Sequence, residues 1–129
     1  GRAPDRNTGA RPPGAGRAVR IGALDVAEWA EAGGDRNRVH TVPGAAREAG
    51  LRVGADVVVA HGLLLAAVSL ALVPAEENAI EARMPAPLPV PAAGVAPTRE
   101  PDAPPSACVL VDGRTGELTA GGRCVLHRR

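Results

Sequence analysis

The 129-residue sequence contains no Lys, no Gln, no Phe and no Tyr, and has one Trp (Trp29) and one Met (Met84). All 15 basic residues are therefore Arg. The missing lysine excludes Schiff-base chemistry and a phosphate-loop lysine. The near absence of aromatic rings removes the platforms on which proteins stack bases. With a net charge of only +1, the chain lacks the electrostatic footprint of a nucleic-acid binder. Two cysteines, Cys108 and Cys124, form no C-x-x-C pair and are too few for a disulfide framework. They are expected to be buried free thiols of a reducing compartment, which points to the cytoplasm. The longest apolar run, 62–74, is interrupted by Ser69 and is too short to span a bilayer. The first residues hold no apolar segment of the kind a signal peptide needs, so neither export nor membrane attachment is expected.

What remains is ordinary in amount and unusual in kind. Hydrophobic residues make up 45% and charged residues 22% of the chain, as in a typical globular domain. The length suits one domain, and the core has to be built from Ala, Val and Leu. Residues 1–16, rich in Gly, Pro and Arg, read as a disordered arm or linker. A single domain is expected over 17–129. A short strand is predicted at 18–21. A helix follows, with Asp25 near its start, Val26, Trp29 and Ala30 forming one apolar stripe, and Gly33-Gly34 ending it. The stretch 35–41 is polar and is expected to be irregular. A short helix is predicted between Pro43 and Gly50, and Val57-Val58-Val59 carries a strand signal.

His61-Gly62 then opens the most apolar segment, a helix stopped by Pro74 and expected to be buried on every side. Residues 78–84 alternate as a strand does. Residues 85–105 hold eight of the 13 prolines, so an edge strand and a long loop are expected there. The end of the chain reads as a β-hairpin turning between Asp112 and Gly116, which sets Cys108 opposite about Gly121 rather than opposite Cys124. Strands and helices in this order imply an α+β fold, one antiparallel sheet around one apolar helix.

One cluster could carry chemistry. Gly34-Asp35-Arg36-Asn37-Arg38-Val39-His40 places a carboxylate, an amide and an imidazole within a few residues, and a carboxylate and an imidazole sharing one water form a competent acid–base pair. Gly62, at the start of the apolar helix, offers a free backbone N–H at the positive end of the helix dipole. Such a donor aimed at a developing oxyanion is typically worth about 3–4 kcal/mol. The plainer readings are a turn residue for Asp35, a loop histidine for His40 and close packing for Gly62. His61 reads as a structural hydrogen bonder at the helix start. His127 and the arginines Arg36, Arg38 and Arg52 read as solvated, with a minor alternative that one of these arginines meets a phosphate.

The stretch GDRNRVH, followed 21 residues after its His by AHG and an apolar helix, resembles the MaoC-like (R)-specific enoyl hydratase/dehydratase family, whose motif is G-D-x-N-P-[apolar]-H and then H-G-[apolar]. The resemblance spans about 18–127 and is specific over 33–66. It implies a hot-dog fold, with Asp35 and His40 as the catalytic pair that activates water, Asn37 as the residue orienting their loop, and the Gly62 N–H as the oxyanion hole. It implies reversible hydration of trans-2-enoyl thioesters to (R)-3-hydroxyacyl thioesters carried on coenzyme A or an acyl carrier protein, in a homodimer, with no metal or redox cofactor. Arg38 stands where the family has Pro, and the family's aromatic residues are missing. Two alternatives follow: a catalytically silent hot-dog subunit that binds acyl chains or a partner, and a thioester hydrolase.

Overall fold

The computed structural model describes residues 16–75, 81–92 and 105–129. The expected arm, apart from Gly16, lies outside the described residues, as do the first part of the strand expected at 78–84 and most of the proline-rich loop. The described residues form a mixed α+β structure with antiparallel sheets. In chain order the elements are β1 (Arg17–Gly22), α1 (Ala23–Gly33), α2 (Arg38–Thr41), α3 (Ala45–Glu48), β2 (Val57–Val59), α4 (Gly62–Leu72), β3 (Ala82–Arg83), β4 (Pro89–Pro91), β5 (Ser106–Val111), β6 (Leu118–Ala120) and β7 (Arg123–Arg128). Five strands make one sheet in the order β1-β5-β6-β7-β3, and β2 and β4 make a second.

The larger sheet follows the period-two rule of a half-buried surface. On β5, Val109 and Val111 are buried while Cys108 and Leu110 face outward. Opposite them on β1, Val19 pairs with Val109 and Ile21 with Ala107. The rule breaks on β7, where Val125 and Leu126 are both buried. The register explains this. Leu118 pairs with Leu126 but Thr119 with Cys124, so Val125 is an extra residue in a β-bulge, which turns two successive side chains to one face. The chain end therefore makes three strands rather than one hairpin. Gly121 and Gly122, both at positive φ, turn β6 into β7 within what the sequence presents as one run.

Helix α1 begins two residues before Asp25, whose carboxylate reaches back to accept the Gly22 N–H at 2.8 Å. Val26 and Ala30 are its buried residues, with Trp29 packed against the same core. Helix α4 packs by one face only. Leu64, Leu65 and Ser69 are buried, but Leu63 is 75% exposed. The expectation of burial on every side is thus corrected: an all-apolar sequence hides which face meets the sheet, and here the layers cover only one. The thiols also differ from expectation. Cys108 is exposed, because its position on β5 falls on the outward phase, and Cys124 is only half-buried. Desolvation, with Glu117 nearby, raises the Cys124 thiol above its ordinary value.

Two polar ties brace the hairpin against α4. The buried Ser69 hydroxyl donates to the Gly116 carbonyl at 2.6 Å and accepts from Arg128 Nη1 at 2.9 Å. Arg128 also donates to the Val73 carbonyl at the helix end, where a cation suits the dipole. Ser69→Ala strands a buried carbonyl and should lower unfolding free energy by about 1–3 kcal/mol in denaturant titrations, with the fold kept. In the β5–β6 turn, Asp112 Oδ1 accepts the N–H groups of Arg114 and Thr115 at 2.8 and 3.0 Å. These bonds, that of Thr115 foremost, hold its carboxyl below the ordinary 3.8. A carboxyl lowered on folding favours the native state above its unfolded value, and that contribution is lost as pH falls through the folded one. Acid titration followed by Trp29 fluorescence should therefore show wild-type stability falling below about pH 4 more steeply than that of Asp112→Asn.

Candidate active site

The site is assembled from three short pieces that meet beside the start of α4. The first is the end of α1. Gly34 takes the left-handed conformation, at φ 79°, and its N–H closes onto the Ala30 carbonyl at 2.9 Å. This ends the helix and delivers Asp35 at its mouth. The second piece is the turn that follows. The Asn37 side chain accepts the Val39 N–H at 3.1 Å and caps α2, while the Asn37 N–H reaches Asp35 Oδ1 at 3.3 Å. These local bonds are the ones Asp and Asn readily make, and they favour a turn. The segment expected to be irregular therefore contains one helical turn, which carries His40.

The third piece is β2. Its pairing with β4 sets Val58 opposite Val90 and Val59 opposite Pro89. The flanking bonds, Ala60 N–H to the Leu88 carbonyl and Ala92 N–H to the Asp56 carbonyl, fix the phase of the ladder. In an antiparallel pair alternate residues point their backbone groups away from the partner. The prolines of β4 occupy those outward positions, so no ladder donor is lost. On β2 the outward carbonyls are those of Val57 and Val59. The first accepts the Gly44 N–H at 3.2 Å, and the second meets His40 Nδ1 at 2.6 Å.

That contact settles the proton on His40. A carbonyl can only accept, so Nδ1 carries the hydrogen, and in the neutral ring Nε2 is left with a bare lone pair. Nε2 lies 3.7 Å from Asp35 Oδ2. The Asp35 side chain is 59% exposed and that of His40 only 13%. The carboxylate thus meets solvent while the imidazole is shielded. His61 completes the group. Its Nε2 donates to the Asp35 main-chain carbonyl at 2.9 Å, and its ring stacks on His40 with centroids 3.7 Å apart and planes at 20°.

Asp35, His61 and Gly62 lie on the wall of a cavity of about 370 Å³. Trp29, Leu63, Ala66, Met84 and Leu126 give it an apolar lining. A Cβ at Gly62 would meet the sulfur and methyl of the flexible Met84 side chain, which would have to move aside. As the first residue of α4, it has an N–H without an intrahelical partner.

The four residues singled out from sequence, Asp35, Asn37, His40 and Gly62, are thus gathered in one place. The sequence missed two participants: the Val59 carbonyl and the His61 ring. The first has no sequence signal, because it depends on ladder phase. The second was visible as a histidine at a helix start, but its partner lies 26 residues back rather than in its own helix. Ligand atoms of Asp35, His40 and His61 lie within 4.8 Å of one another, an inventory that could suggest a metal. The ring geometry argues against a shared ion. Imidazole lone pairs lie in the ring plane, and two rings stacked face to face aim them along near-parallel lines that do not converge at the ~2.1 Å that zinc requires.

No family model and no curated protein matches the chain. Among solved structures, the chain is similar to the R-hydratase PhaJ1 from Pseudomonas aeruginosa in its unliganded form. The TM-score is 0.47 and the identity 18%, over 88% of this chain and 74% of that one. Among the described residues, no helix is long and apolar enough to cross a membrane.

Because the Asn37 side chain caps α2, Asn37→Ala should cost about 0.5–2 kcal/mol of stability in denaturant unfolding. The same substitution should loosen the Asp35 loop, detectable as faster amide exchange over 35–40.

Proposed function

We propose that the protein is an acyl-thioester hydratase/dehydratase, interconverting trans-2-enoyl and (R)-3-hydroxyacyl thioesters of coenzyme A or an acyl carrier protein. The observation that carries this reading is the contact of His40 Nδ1 with the Val59 carbonyl, which assigns the tautomer of the ring. With Nδ1–H tied to Val59, its bare Nε2 faces the Asp35 carboxylate, and Asp35, His61 and Gly62 line an apolar cavity. A water touching both groups is held by Asp35, which accepts one of its hydrogens. His40 Nε2 takes the other proton as the water oxygen bonds to the β-carbon. The double-bond electrons move toward the thioester oxygen, where the Gly62 N–H stabilises the enolate. The proton on His40 then passes to the α-carbon on the same face, which gives syn addition and restores the neutral ring. No residue in this sequence of steps calls for a metal or redox cofactor.

The order of the larger sheet, with α4 packed on it, supports a hot-dog arrangement. In it the protein would work as a homodimer in the cytoplasm, with the exposed Leu63 and Met84 beside the cavity they help to line. One observation favours the second reading, a silent acyl-binding or partner subunit: Met84 lies directly against Gly62, where a thioester carbonyl would approach the N–H.

The test is loss of enoyl-thioester absorbance with crotonyl-CoA and a medium-chain enoyl-CoA. Wild-type protein should hydrate at least one of them, and Asp35→Asn and His40→Ala should lower kcat by about 10²–10⁴ with the fold kept. Near-normal turnover in either variant would refute the assigned roles. Binding without turnover by the wild type, seen as a change in Trp29 fluorescence, would favour the silent subunit.

A further inference from the structure

His61 stands at the N-cap of α4 but makes no side-chain bond to its own helix. It is 2% exposed, and its polar reach goes elsewhere. Nε2 donates to the Asp35 carbonyl, which leaves Nδ1 with a bare lone pair in the neutral ring. That nitrogen is buried with no hydrogen-bond partner. Burying an unpaired acceptor destabilises a fold, and a leucine or phenylalanine would fill the space without that cost. Neither could donate to Asp35, and leucine has no flat face.

Those two features act on the two members of the pair. The Asp35 carboxylate is held at Oδ1 by the Asn37 N–H, and the main-chain carbonyl of the same residue, between α1 and the turn, is the one His61 holds. His40 is tied at one atom to the Val59 carbonyl. A single hydrogen bond tolerates small rotations about χ1 and χ2, and these would swing Nε2 away from Asp35. The stacked face of His61 removes that swing. Three groups thus meet His40: the Asp35 carboxylate from the loop, the Val59 carbonyl from β2 and the His61 ring from the start of α4.

We propose that His61 is a positioning residue, whose Nε2–H holds the Asp35 peptide and whose ring face sets the plane of His40, so that one side chain anchored on α4 aligns both members of the pair. This rests on the hydratase reading above for its kinetic consequence but not for its geometry.

Three substitutions in the full chain separate the two actions. Gln at this position keeps a donor near Nε2 and loses the face (His61→Gln). Phe keeps the face and loses the donor (His61→Phe). Ala loses both (His61→Ala). In long-range proton–nitrogen spectra, the His40 ring of the wild type should show a protonated Nδ1 and a bare Nε2. That signature should persist in His61→Phe and average toward mixed tautomers in His61→Gln and His61→Ala. With crotonyl-CoA, kcat should fall roughly tenfold in the Gln and Phe variants and roughly a hundredfold in the Ala variant, with KM within about twofold of wild type. If His61→Ala fails to fold, the Gln and Phe variants decide by the same criteria. Unchanged His40 nitrogens in His61→Gln would overturn the proposal, as would a raised KM with kcat intact, which would make His61 part of the binding wall. Should wild-type protein fail to hydrate any enoyl thioester, the hydratase reading falls, and the nitrogen signature alone still decides whether His61 positions His40.

Discussion

The arrangement at the site depends on the direction of one peptide carbonyl, that of Val59. Because β2 pairs with β4 in a phase that sets Val59 opposite Pro89, this carbonyl points away from the ladder and toward α2. It fixes His40 by Nδ1 and thereby decides which nitrogen is bare. The opposite phase of the same pairing, with Val59 and Pro89 as a hydrogen-bonded pair, would turn the Val59 carbonyl inward and bring Pro89 and Pro91 into positions where a donor is needed. Their missing N–H groups make that phase costly. The alternating prolines of β4 therefore act as a phase lock, and the lock is felt at the imidazole.

Helix α4 is the second fixed reference. At its far end Arg128 and Ser69 bind it to the sheet and the Gly116 turn. At its near end His61 binds it to the Asp35 loop. Between them Leu64 and Leu65 join the core that contains Leu118, Val125 and Leu126. The lack of large aromatic residues has a consequence here. Gly62 and Ala66 present little bulk on α4, and the cavity, whose wall also includes Leu126 of that core, occupies the space beside them. A chain poor in large rings can leave such a hollow without an added domain, because small side chains let helix and sheet meet closely at one end and part at the other.

Much of this was legible in the sequence. The stripe of Val26, Trp29 and Ala30 and the glycines after it gave α1 and its end, because a helix stripe and a left-handed cap are local features. The Val57–Val59 strand and the edge character of the proline stretch were local too. The convergence of Asp35, Asn37 and His40 was readable because all three lie on one turn. What was not readable depends on how distant pieces meet. An all-apolar α4 cannot tell which face will be covered, so Leu63 was misjudged. Cys108 was expected inside because cysteine usually is, but strand phase put it outside. The β6–β7 turn was hidden in a run that keeps its alternation through Gly121 and Gly122. The role of Val59 was invisible, since it belongs to a backbone atom.

The spacing within the pair is itself constrained from both sides. At 3.7 Å, Nε2 of His40 and the Asp35 carboxylate are too far apart for a direct hydrogen bond, which needs about 3.2 Å or less. A closer approach would tie Nε2–H to the carboxylate by a direct hydrogen bond whenever the ring is protonated, and would leave nothing to hold a third body. A much wider gap would lose contact on one side. At the observed distance a water about 2.8 Å from each group subtends an angle of about 80° between them, so it sits off the line joining them. Shielding of His40 against exposure of Asp35 adds a direction, with water reaching the pair from the carboxylate side. Such a geometry arises because both residues belong to one short turn, whose Asn37 bonds and Val59 tether hold them apart as firmly as they hold them together.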